Sequence, residues 1–101
     1  MSIKSITRAE FDAFEPGRSP MAESIGEEVE WYADDAGNII GIVVRDRIDN
    51  DWLYVIMGRD QEGAFRAFKT DEELPTREEA RKQLQEAMRE IEASGETVFP
   101  Q

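Results

Sequence analysis

The chain has 101 residues, 40% of them apolar and 35% charged, with 7 glycines, 4 prolines and neither cysteine nor histidine. A domain of this size buries roughly 60–70% of its unfolded surface, enough for one hydrophobic core without a disulfide or metal staple and too little for a second domain. Without Cys and His there are no thiolate or imidazole metal ligands and no Cys/His or Ser/His/Asp nucleophile system, and a net charge of −11 has the wrong sign for gripping phosphates or anionic lipid.

The first predicted element begins at Ile6-Thr7-Arg8-Ala9-Glu10-Phe11, where Thr7 and Glu10 have capping-box spacing and Ile6 and Phe11 occupy the two positions of a hydrophobic staple. A short helix is expected over Arg8–Phe14, ended by Pro16-Gly17, with a loop over Arg18–Gly26.

From Glu28 to Lys69 the pattern changes to β-branched and aromatic runs, predicting four strands: Glu28–Ala33, Ile39–Arg47, Trp52–Arg59 and Ala64–Phe68. The connections Asp34–Asn38, Asp49–Asp51 and Asp60–Gly63 are rich in residues that tolerate left-handed or side-chain-capped turns, and all are short enough for hairpins, so the sheet is an antiparallel meander. In the first strand Val29, Trp31 and Ala33 alternate with Glu28, Glu30 and Tyr32. The second and third are apolar on both faces, which places them centrally, covered on both sides.

The last element is a helix over Arg77–Ala93. Thr76 and Glu79 form a second capping box, Ala80, Leu84, Ala87, Met88 and Ile91 make one apolar stripe, and Ser94-Gly95 ends it. Glu78 and Lys82 are spaced as an i, i+4 pair, and Arg77, Arg81, Lys82 and Arg89 are expected to face water. The expected architecture is α+β: a single domain over residues 1–101, with a short helix (7–15), a four-stranded antiparallel meander (27–69) and a C-terminal amphipathic helix (76–94) on one face. The other face then needs the short N-terminal helix, the tail Val98-Phe99, or a second copy of the protein, and this count makes a homodimer an expected partner state.

Residues 1–20 contain no apolar stretch like a signal h-region, and no apolar run approaches the roughly 18 residues of a membrane span. A cytoplasmic protein is expected, with no membrane and no direct nucleic-acid contact.

Most of the excess acid lies in residues 27–63. Asp46, Asp49 and Asp51 with Asn50 invite a reading as a hard-cation site, but the spacing lacks the central glycine and distal glutamate of an EF-hand, and Asp and Asn are what a tight turn selects. No metal or other cofactor is therefore expected. Asp34, Asp35, Asp60 and Glu62 come from the first and third connections, which a meander projects from the same end of the sheet. Carboxylates at the two ends could imitate nucleic-acid phosphates and occupy a partner's basic groove, or simply confer solubility. Paired carboxylates with Tyr32 or Tyr54 could serve proton transfer, yet nothing fixes a geometry, so no catalytic residue is expected. Most of Trp31, Tyr32, Trp52, Tyr54, Phe65 and Phe68 are expected in the core, with Trp52, beside Asp51, partly exposed.

At Trp31-Tyr32-Ala33-Asp34, at Gly37-Asn38-Ile39-Ile40-Gly41-Ile42-Val43 and at Asp49-Asn50-Asp51-Trp52-Leu53-Tyr54-Val55-Ile56 the sequence resembles small uncharacterised bacterial proteins with a W-[YF]-A-D, G-N-x-x-G and D-x-D-W pattern. The resemblance spans about residues 7–92. It implies a bacterial or phage origin and supplies no activity. The expected function is a non-enzymatic, self-associating, acidic protein-interaction module with Asp34, Asp35, Asp49, Asp51, Trp52, Asp60 and Glu62 as candidate contacts. The alternative is an acidic inhibitor or nucleic-acid mimic.

Overall fold

A computed structural model describes residues 3–14, 26–60 and 62–94. Pro16-Gly17, most of the expected loop 18–26, Gln61, Gly95 and Val98-Phe99 lie outside the described residues. The elements are β1 (Lys4–Ile6), α1 (Arg8–Ala13), β2 (Gly26–Ala33), β3 (Ile39–Asp46), β4 (Trp52–Arg59), β5 (Phe65–Leu74) and α2 (Arg77–Ser94). The fold is α+β, and the five strands form one antiparallel sheet in chain order.

The meander therefore has five strands where the sequence predicts four. The added strand, β1, pairs Lys4, Ser5 and Ile6 with Ala33, Tyr32 and Trp31. Three residues with no alternating pattern carry no local strand signal, and only the pairing with β2 makes them one. β1 runs straight into α1, where both arms of the capping box form: Thr7 Oγ1 accepts from Glu10 N, and Glu10 Oε1 accepts from Thr7 N, each at 3.1 Å. Ile6 and Phe11 are buried in the same cluster, as a hydrophobic staple requires. The helix closes at Phe14, its C-cap.

β2 starts at Gly26 and carries a bulge between Glu28 and Glu30. The extra residue shifts the alternation, so Val29 packs with Tyr32 on one face while Trp31 and Ala33 pack on the other. The sequence pattern alone puts Val29 with Trp31 and Ala33. β5 continues to Leu74, six residues beyond the predicted Phe68, because Lys69, Thr70 and Asp71 stay in register with Ile56, Val55 and Tyr54 despite being polar.

The two central apolar strands are covered on both sides. Ile39, Val43, Tyr54 and Ile56 meet Ala80, Leu84, Ala87 and Met88 of α2, while Ile40, Ile42, Val44, Leu53 and Met57 pack with Phe11 of α1 on the opposite face. Each large side chain buried in these layers contributes about 1.5–3 kcal/mol relative to exposure. The second face is thus occupied by the N-terminal helix, the first of the three coverings the sequence allows. Among the described residues the large exposed apolar side chains are Ile48, 72% exposed, and Phe68, 43% exposed. No described helix is long and apolar enough to cross a membrane.

Candidate functional site

The sheet divides the expected contact residues between its two ends. Arg59 joins the first and third turns, its Nε donating to Gly37 O at 3.0 Å and its Nη1 to Gly63 O at 2.8 Å, so Asp34, Asp35, Asp60 and Glu62 share one end. Asp49, Asp51 and Trp52 lie at the other, beyond eight-residue strands and so about 25 Å away.

At the Arg59 end Asp34 and Asp60 are occupied by the backbone. Asp34 is buried, and its Oδ1 accepts from Asn38 N at 2.8 Å and Ile39 N at 3.1 Å. Asp60 Oδ1 accepts from Glu62 N at 2.9 Å and Ala64 N at 3.0 Å, and its Oδ2 lies 2.7 Å from Arg66 Nε. Burial pushes the Asp60 carboxyl up, but these N–H groups and the guanidinium outweigh it and hold the group below its usual range. The Arg59 guanidinium also sits 4.3 Å over the Phe65 ring, which meets Phe14 of α1 edge-on.

The far end is the β3–β4 hairpin. Asp46 Oδ1 accepts from Ile48 N at 2.8 Å and Asp49 N at 3.2 Å, and Asp46 O accepts from Asn50 N at 3.0 Å. Asn50 takes the left-handed conformation at φ 58°, which its short polar side chain tolerates, and its Oδ1 accepts from Arg45 Nη2 at 3.1 Å. The loop is pinned from inside, and Ile48 projects from it between exposed Arg47 and Asp49. Asp51 and Trp52 are half-buried at its base, Trp52 packing against the α2-side core. Trp31 is equally half-buried, whereas Tyr32, Tyr54 and Phe65 are buried. Among the described residues no three acidic groups gather closely enough to hold a metal ion.

The densest polar cluster is one the sequence pattern misses. Glu30 shares the α2-side face of β2 with Tyr32, and its carboxylate accepts from Arg77 Nε at 2.5 Å, from Arg81 Nε at 2.7 Å and Nη2 at 2.9 Å, and from the Tyr32 hydroxyl. Burial raises the Glu30 carboxyl, but the bonds from Arg81, Tyr32 and Arg77 prevail and bring it down to about 2. The Tyr32 phenol is pushed up to about 12, first by burial and then by the carboxylate it donates to. Arg77 and Arg81 therefore turn to the sheet, contrary to the expectation that they face water among glutamates. Glu78 and Lys82 form no ion pair, and Glu79 accepts from Gln83 Nε2 at 2.9 Å while its N–H takes the Thr76 cap. With both guanidiniums and the phenol spent on one internal carboxylate, this cluster is a clamp between β2 and α2. Alternation already sets Glu30 beside Tyr32, and an acidic residue on that face with an i, i+4 pair of arginines on the covering helix is the signal that locates the clamp.

No family model, no curated protein and no solved structure matches this chain.

Proposed function

We propose that the chain is a non-enzymatic, acidic protein-interaction module that engages a partner through the β3–β4 hairpin tip. The observation behind this reading is Ile48: a β-branched apolar residue, 72% exposed, on a turn held rigid by Asp46 and Asn50. Turns select Asp, Asn, Gly and Pro, and an isoleucine displayed there adds nothing to the core. A pre-ordered apolar knob loses little conformational freedom on binding, and Arg47 and Asp49 on either side of it offer one charge of each sign to the rim of a partner's pocket. Support for a non-enzymatic role comes from the carboxylates of Asp34, Asp46, Asp60 and Glu30, which are held by backbone N–H groups or arginines rather than presented together.

The acidic-inhibitor reading uses the same turns, and the inward aspartates leave it fewer outward charges to set against a basic groove. Affinity capture with the wild type and with Ile48→Asp, followed by a salt titration, tests the proposal. A protein retained by the wild type and lost by the folded variant supports it. Identical capture by the two chains overturns it, and capture that ignores Ile48 but fails at moderate salt favours the charge-mimic reading.

A further inference from the structure

A different surface, the outer edge of β5, bears on self-association independently of the hairpin tip. Among the described residues β5 pairs only with β4 and closes the sheet on that side. α2 lies mainly over β3 and β4 and α1 against β2, so β5 meets the helical layers at its buried ends, Phe65 and Leu74, while its middle is exposed. Arg66, Ala67, Phe68, Lys69 and Thr70 are all exposed in sequence, whatever face they occupy, as are Glu72 and Glu73. The opposite edge, β1, has three residues where β5 has ten. Exposed strand edges carry unpaired N–H and C=O groups and template pairing with another chain.

We infer that β5 pairs antiparallel with β5 of a second copy, about a two-fold axis through Thr70, to give a continuous ten-stranded sheet. The charge order along the strand carries the inference. Lys69 precedes Thr70 and Asp71 follows it, so reversing the strand against itself about Thr70 sets Lys69 of each copy on Asp71 of the other. Bulges interrupt β5 between Ala67 and Lys69 and again between Asp71 and Leu74, leaving Lys69-Thr70-Asp71 as the regular stretch. A two-fold axis normal to the sheet requires a residue to face itself. Centred on Lys69 or on Asp71 the pairing opposes like charges. Centred on Thr70 it sets threonine against threonine and Lys69 against Asp71 of the second copy twice, both favourable cross-strand pairs. Within their own chain Lys69 and Asp71 make no ion pair among the described residues. The flanking bulges keep the paired stretch short, which makes this a weak dimer at the small end of interface sizes.

Sedimentation equilibrium at about 0.15 M salt, where the net −11 of each copy is screened beyond about 8 Å, reads the association directly. The expected dissociation constant is roughly 10–500 µM. Lys69→Glu and Asp71→Lys should each weaken self-association by about tenfold or more, and an equimolar mixture of the two should recover it as a heterodimer, because the swapped charges again oppose. Thr70→Asp, which sets two carboxylates on the axis, should be monomeric, and circular dichroism confirms that each variant is folded. A wild type that stays monomeric at 1 mM, a dimer indifferent to these substitutions, or a mixture that fails to recover would each overturn the inference.

Discussion

Leu84 of α2 lies so close over Gly41 of β3 that a β-carbon at residue 41 would fall 2.6 Å from Leu84 Cδ1 and 2.8 Å from Met88 Sδ. Glycine is there for proximity, since its absence of side chain lets the helix settle on the sheet. Leu84 and Met88 are both fully buried and have nowhere to retreat. Gly41→Ala should therefore destabilise the protein by about 1–2 kcal/mol, although alanine in a strand ordinarily outperforms glycine. Urea unfolding measures it, and an unchanged or raised midpoint would show that the helix can lift without cost.

The Glu30 clamp ties stability to pH. Its carboxyl titrates at about 2 in the fold against 4.5 for an ordinary glutamate, so the stabilisation is complete above about 4.5 and lost as pH falls toward 2. Glu30→Gln should cost about 1–2 kcal/mol at pH 7, and the difference between variant and wild type should shrink steadily between pH 4.5 and 2. Thermal melts at several pH values check this. A difference that is constant with pH would mean that the carboxylate's charge is not what holds β2 to α2.

The aspartates of the turns make opposite predictions according to where they point. Asp34→Ala and Asp46→Ala each remove an acceptor shared by two backbone N–H groups and should cost about 1 kcal/mol or more. Asp49, exposed at the hairpin tip, should be replaceable by alanine within about 0.5 kcal/mol. Equal costs at Asp34 and Asp49 in chemical denaturation would contradict the assignment of one to architecture and the other to the surface.

The same residues show what was legible in the chain. The capping box at Thr7 and Glu10, the apolar stripe of α2, the hairpin turns and the double coverage of β3 and β4 are local patterns, and the structure contains them. β1, the bulge at Val29 and the polar half of β5 depend on what lies across the sheet, so no window of sequence displays them. Apart from Trp52, the expected contact residues are acids in turns. That pattern takes in Asp34 and Asp60, whose carboxylates close hairpins, as readily as Asp35 and Asp49, which are exposed. Alternation sets Glu30 on the face of Tyr32, but the two arginines that bind it lie 47 and 51 residues further on, so no local pattern pairs them.

Arg59 provides the last prediction. Its guanidinium donates from two different nitrogens to Gly37 O and Gly63 O, in two separate hairpins, while its Cζ sits 4.3 Å over the Phe65 ring. A lysine would keep the charge but is a single point donor, unable to span both carbonyls and to stack at once. Arg59→Lys should thus behave nearly like a truncation, losing about 1–2 kcal/mol, with the loss concentrated at the end of the sheet where the two turns meet. Hydrogen exchange locates it: the amides of Gly37 and Gly63, which donate to Asp34 O and Asp60 O, should exchange faster in the variant, whereas Asn50 at the far hairpin should be unaffected. Faster exchange spread evenly over both ends, or none at all, would mean that the two turns hold their shape without the arginine between them.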